Sequence, residues 1–190
     1  MKKYISLMIL FLSVQSHAGF IAEPFVGYNS GSSKATTISG TLASSTSSGF
    51  DYGIRAGFLF GQSFWIAGEY TGGSGKDKDS SSETDYTRTA IGVVIGYKLP
   101  NKYNFWLGYG TSDKITYKDS TTEIYTSGTN AKFGFGYEVA KNVDVNVELI
   151  VPKYSKFGNS TTEVDISSAF SKYDVSFALI SLSFPFGFSK

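Results

Sequence analysis

Cysteine is absent and histidine occurs once in these 190 residues, and each scarcity closes a class of chemistry. Without cysteine there is no disulfide framework, no thiol nucleophile and no N-terminal cysteine for a lipid anchor. The one histidine, His17, falls in a segment expected to be cut away. The mature chain then has no imidazole for a Ser–His or Cys–His mechanism, and zinc lacks its usual ligands. Excess charge is missing too. Removing Lys2 and Lys3 takes the formal +1 of the whole chain to near −1, which gives nucleic acid no basic footprint to bind. Beyond the first residues no apolar run approaches the roughly 20 residues that a transmembrane helix needs.

What is present starts with an export signal. Lys2 and Lys3 open it, a short apolar stretch follows at 5–14, and Ser16 and Ala18 put small residues where a signal peptidase cuts. The reading is a signal peptide over residues 1–18, cleaved after Ala18, and one domain over 19–190.

That domain is rich in Gly, and 16% of the chain is aromatic, almost all Phe and Tyr. Apolar residues recur at every second position in eight runs, at about 20–29, 49–60, 64–71, 86–99, 103–110, 129–139, 143–151 and 173–188. The clearest has Phe50, Tyr52, Ile54, Ala56, Phe58 and Phe60 on one face and Asp51, Gly53, Arg55, Gly57 and Leu59 on the other. A strand sends alternate side chains to opposite faces. Short turns at Gly61-Gln62-Ser63, Pro100-Asn101-Lys102 and Ala140-Lys141-Asn142 alternate with long Ser/Thr-rich connections at 29–48, 72–85, 111–128 and 152–172. Eight strands with that rhythm predict an all-β fold, an eight-stranded antiparallel up-and-down transmembrane β-barrel with its apolar face toward lipid.

The short turns also predict register. The first sets Phe60 opposite Phe64, Phe58 opposite Ile66 and Arg55 opposite Glu69. The second sets Tyr97 opposite Tyr103, Ile95 opposite Phe105 and Val93 opposite Leu107. The third sets Val139 opposite Val143 and Tyr137 opposite Val145. A slip of one residue would invert every face.

Two girdles of interfacial rings follow. Phe60, Phe64, Tyr97 and Tyr103 are expected at the short-turn side, and Tyr52, Tyr70, Tyr86, Tyr109 and Tyr173 at the long-loop side. The inward face carries Asp51, Arg55, Glu69, Arg88, Lys132, Glu138, Asp144 and Glu148. An eight-stranded barrel is only wide enough for side chains to fill it, so these charges should pair. The expected pairs are Arg55 with Glu69, Lys132 with Glu148, and Arg88 with Asp51 or Glu69, as a structural filling. Inward Gly92, Gly96, Gly134 and Gly136 leave room in the narrow lumen. The acidic residues Asp77, Asp79, Glu83 and Asp85 read as a solvated loop; they lack the pattern of a calcium loop. Catalytic, cofactor and metal residues are not expected.

The signal, the eight alternating runs, the loop rhythm and the closing segment Ile180, Leu182, Phe184, Phe186, Phe188 resemble the small eight-stranded outer-membrane barrels, the OmpA transmembrane domain, OmpX and opacity-protein type. The resemblance spans the mature chain. It implies a Gram-negative outer-membrane location and contact with outer-membrane lipid. It also implies that Phe184, Phe186 and Phe188 are the C-terminal signal read by the barrel assembly machinery. Pro185 and the trailing Ser189 and Lys190 depart from that signal. No wall-binding domain is implied. The expected function is a non-enzymatic, monomeric barrel. Its polar connections would meet an extracellular ligand or surface, in adhesion or envelope integrity. The alternatives are a narrow porin-like channel for small polar solutes and a soluble lipocalin-like periplasmic carrier.

Overall fold

The structure, a computed structural model, describes residues 18–118 and 123–187. The expected signal lies outside them except for Ala18, and so does Phe188. The chain forms β1 (Ala18–Thr37), β2 (Leu42–Phe60), β3 (Phe64–Lys78), β4 (Glu83–Lys98), β5 (Tyr103–Lys118), β6 (Glu123–Ala140), β7 (Val143–Asn159), a three-residue β8 (Glu163–Asp165), a single 3₁₀ turn (Ile166–Ser168) and β9 (Phe170–Ser183). Neighbours in sequence pair antiparallel from β1 to β7, β7 pairs with β9, and β9 pairs with β1. The ring therefore closes on eight staves, and β8 is a short addition to β7.

The first hairpin has the expected register, with Phe60 opposite Phe64 and Arg55 opposite Glu69. The second is displaced by two residues: Tyr97 faces Phe105 and Ile95 faces Leu107. The cause is the turn, where Leu99, not Tyr97, stands opposite Tyr103 and donates its amide to the Tyr103 carbonyl at 2.8 Å. A shift of two keeps every face and changes only partners. In the third hairpin Tyr137 faces Val145, but a bulge after Glu138 puts Ala140, not Val139, opposite Val143. Lys102 and Asn142 close these two turns at positive φ, 76° and 60°.

The faces divide as the alternation requires. Phe58, Val93 and Leu149 are about half exposed on the outside, whereas Arg55 is fully buried inside. A lipocalin-like carrier would have these faces reversed, so the soluble alternative is overturned.

The strands are longer than the apolar alternation, and this is the main correction. The connections expected at 29–48, 72–85 and 152–172 are mostly strand, reduced to tips at 38–41 and 79–82 and to the segment 160–169 around β8. In 111–128 the strands run to Lys118 and resume at Glu123. β1 is 20 residues long, against the 9–11 that a tilted strand needs to cross hydrocarbon. Beyond the membrane the polarity inverts. Lys34, Thr46, Lys76 and Lys114 lie toward water, while Tyr86, Ile115, Tyr154 and Val175 are buried inside. The period-2 apolar signal disappears where the outer face becomes hydrophilic, yet pairing continues.

Candidate functional site

Viewed from the short-turn end, the lumen is filled in layers. The first is apolar. Trp65 and Trp106, with ring centroids 6.5 Å apart, pack with Ile21, Leu59, Ala67 and Val94. Trp65 donates its indole N–H to Asn104 Oδ1 at 3.0 Å. Gly96 lies under the Trp65 ring and Gly134 under the Trp106 ring, so close that an added Cβ would overlap them.

The second layer centres on Arg55. Its Nε donates to Glu69 Oε2 at 2.8 Å, Nη1 to Glu23 Oε1 at 3.1 Å and Nη2 to Glu148 Oε1 at 2.5 Å. Lys132 donates to the other oxygen of Glu69. One guanidinium from β2 thus binds carboxylates from β1, β3 and β7, and Lys132 adds β6. The guanidinium lies between the rings of Phe25 and Trp106, 4.9 and 4.6 Å from their centroids. A planar cation with a fixed fork of donors suits both the carboxylates and the rings.

One expectation fails here. Lys132 pairs with Glu69 and not with its diagonal neighbour Glu148, because both reach across the lumen: Glu148 accepts from Arg55 and Lys132 donates to Glu69. Glu23, 1% exposed, is not marked by the sequence, because Pro24 beside it obscures the alternation of β1.

The third layer centres on Arg88. It binds Asp113 through Nε–Oδ1 at 3.1 Å and Nη2–Oδ2 at 2.7 Å, and its Nη1 reaches Asp51 at 3.4 Å. Asn29 donates to Asp51, Asn130 and Tyr154 donate to Asp113, and Tyr86 donates to Asn29. Of the two partners expected for Arg88, Asp51 is the one found. Asp113 falls in the connection expected at 111–128, so the alternation does not mark it; it faces inward only after a bulge in β5.

The fourth layer is the aromatic mouth. Tyr86, Ile115, Tyr154, Ile166 and Val175 are buried there, with Tyr117, Phe157, Phe170 and Tyr173 packed against them. Tyr86 and Tyr173 are therefore not girdle residues. Both lie above the apolar band on inward positions, and Tyr173 packs 6.2 Å from the Tyr154 ring centroid.

The other girdle residues face outward. Tyr52, Tyr70 and Tyr109 are exposed toward the long-connection side, and Phe64, Tyr97 and Tyr103 toward the short-turn side. The Phe60 ring lies tilted against that of Phe64, centroids 6.0 Å apart. Phe184 and Phe186 also face outward. Their amides donate to the carbonyls of Pro24 and Ala22 at 2.9 and 2.8 Å, so pairing with β1 continues past Pro185, which has no N–H to give.

The outer tips carry little that converges. Asp79 accepts the amides of Ser81 and Ser82, both at 2.7 Å, which lowers its carboxyl to about 2. Glu83 pairs with Lys76 and Asp77 accepts from Ser45. At the short-turn end Glu138 pairs with Lys98 at 3.1 Å. Among the described residues no group of three or more acidic or histidine side chains is placed to hold a metal, and no helix is long and apolar enough to cross a membrane.

Comparison with known proteins agrees with this architecture. A model of the outer membrane protein beta-barrel domain matches residues 4–186. The fold is similar to Ail, the attachment invasion locus protein of Yersinia pestis, solved with the heparin analogue sucrose octasulfate. The TM-score is 0.59 at 10% identity, covering 88% of this chain and 99% of that one. It is also similar to the outer membrane protein OprG of Pseudomonas aeruginosa (TM-score 0.51, 14% identity, 91% and 99% covered). A third likeness is to outer membrane protein AlkL in DMPC bilayers (TM-score 0.52, 13% identity, 89% and 90% covered). Identities this low establish a shared fold. Among curated proteins none matches the sequence.

Proposed function

The chain belongs to the outer membrane protein β-barrel family, and from that premise we propose that it is a closed, non-enzymatic, monomeric barrel whose work is done by its outer rim, in attachment or surface interaction. The observation that carries this reading is the filled lumen. Two apolar layers and two arginine-centred layers occupy it from one end to the other, so the surface free to meet a partner is the outside. The eight staves rise past the hydrocarbon as a rigid, hydrophilic collar, and the tips at 38–41, 79–82 and 160–169 top it. Ile38 and Leu42, 65% and 70% exposed at the first tip, are apolar groups presented to the medium on a rigid support, where binding residues are commonly found. Ser–His catalysis finds no base in the mature chain, which supports the non-enzymatic part of the reading.

The test pairs two measurements. Cells displaying the protein should attach to a solid or host surface better than cells displaying a variant whose tips at 38–41, 79–82 and 160–169 are cut to short Gly/Asn turns. Purified protein in a planar bilayer should carry no steady current. Unchanged attachment after trimming, together with a steady open current, would replace this proposal with the channel reading.

A further inference from the structure

The outer wall is not uniform at the height where the apolar band ends. On β1, β2 and β4 the first outward positions above the band are Ser30, Ser48 and Thr89, and on β3 Gly72 and then Ser74, all neutral and small; Lys76, the next on β3, stands opposite Ser48 and is paired with Glu83. On β7 the first such position is Lys153, and on β5 Lys114 stands opposite Thr89. Lys153 follows Val151 on the outer face of β7 and stands opposite Thr129; Lys114 on β5 and Lys156 on β7 both stand opposite Ser127. Neighbouring strands are about 4.8 Å apart, so Lys114 and Lys156 flank one serine across about 10 Å. Lys153 lies one outward step nearer the membrane. Four-carbon stems let all three ammonium groups converge over Ser127 and Thr129.

Their partners leave room for an anion. Lys114 sits 4.1 Å over the Tyr125 ring, Lys156 pairs with Asp165 at 2.9 Å, and no acidic partner is found for Lys153 among the described residues. The nearby acids, Glu163 and Asp165, are both on β8 at the outer edge of the patch, and Glu163 is engaged by the Tyr125 hydroxyl at 2.8 Å. On the membrane side no carboxylate lies among the described residues, only the outward apolar wall of Leu107, Tyr109, Phe133, Leu149 and Val151.

From this arrangement we infer that Lys114 and Lys153, with Ser127, Thr129 and Lys156, form a binding site for the phosphate groups of an outer-leaflet lipid. Its acyl chains lie along the apolar wall below. Ammonium groups supply charge without fixed geometry, the hydroxyls supply hydrogen bonds, and a phosphate brings several strong acceptors. The height selects the source. A lipid whose chains cover Leu149 and Val151 carries its headgroup to Lys153, whereas a soluble anion gains nothing from the wall.

The test uses the folded full chain in phosphatidylcholine nanodiscs doped with bis-phosphorylated lipid A or with the same lipid stripped of phosphate, and counts by native mass spectrometry the lipid retained after extraction. Phosphorylated lipid should be retained selectively. Retention should fall about five-fold for each lysine removed in K114S/K153S, and should hold in K34S/K78S, which takes the same charge from elsewhere on the collar. Anomalous gel mobility before heating checks that each variant folds; if the double variant does not, K153S alone is compared. Equal retention of the two lipids overturns the inference, as does retention unchanged in the lysine variants. Complete displacement by millimolar inorganic phosphate also overturns it, since that marks a site for soluble anions.

Discussion

Arg55 shows how a single side chain can hold a closed ring together. It is fully buried, and each of its three nitrogens meets a different carboxylate from a different strand. The layer carries Glu23, Glu69 and Glu148 against Arg55 and Lys132. Removing the guanidinium leaves three carboxylates facing one ammonium in a buried layer. Breaking a buried ion pair from one side costs about 3–5 kcal/mol, and here one truncation breaks three. Arg55→Ala should therefore lower the urea midpoint of the protein in lipid vesicles by the equivalent of at least about 3 kcal/mol, with the slope retained. A change below about 1 kcal/mol, the scale of a solvated pair, would show that water or relaxed neighbours replace the arginine. The Lys76–Glu83 pair, exposed on the collar, is the internal comparison, and its loss should be nearly silent.

Pairing between elements has one weak seam. β7 and β9 share a ladder only from Asp144 opposite Ser183 to Ile150 opposite Phe177, while β1 and β2 stay paired from Ala18 to Thr36. Above Ile150 comes Pro152, which has no amide for the ladder, and then a bulge before Lys156. From there β7 turns its free edge to β8, and β9 is paired on its β1 side alone. Hydrogen exchange should find this seam. Alternate amides among 153–155 and 172–176 should exchange about ten-fold or more faster than those at the same height on β1 and β2; uniform protection around the collar would mean the seam is closed. The same elements mark what the sequence could convey. Within the membrane a polar inside and an apolar outside make the period-2 pattern visible, and a three-residue turn ties Arg55 to Glu69. Above the membrane the outer face is serine, threonine and lysine, so the strands read as loops, with Asp113 inside one. Tyr86 and Tyr173 look like interfacial rings until the inversion of polarity is known. Contacts across the lumen, Arg55 to Glu148 or to Glu23, depend on which staves face each other once the ring closes, and no local pattern encodes that.

At the scale of the whole molecule the barrel is two tubes of opposite polarity built from the same staves. The lower tube is apolar outside and charged within; the upper is hydrophilic outside and aromatic within. Each solves the burial of its own surroundings, and the Arg88 network lies near their junction. Closure is therefore redundant, since the tryptophan pair, the Arg55 layer, the Arg88 layer and the tyrosine mouth each occupy the cross-section of a narrow barrel. Removing one of them should not open a path. W65A/W106A deletes the bulk of the layer at the short-turn end and should destabilise the protein, since emptying a core tryptophan site costs about 3–5 kcal/mol. In a planar bilayer the variant should still pass no steady current, because ions that enter the vacated layer meet the salt-bridged Arg55 with its three carboxylates. A stable open state in W65A/W106A alone would locate the whole barrier at the tryptophans and make the charged layers the lining of a pore. Silence in that variant, with current appearing only when the Arg55 and Arg88 layers are emptied as well, is the outcome that layered packing demands.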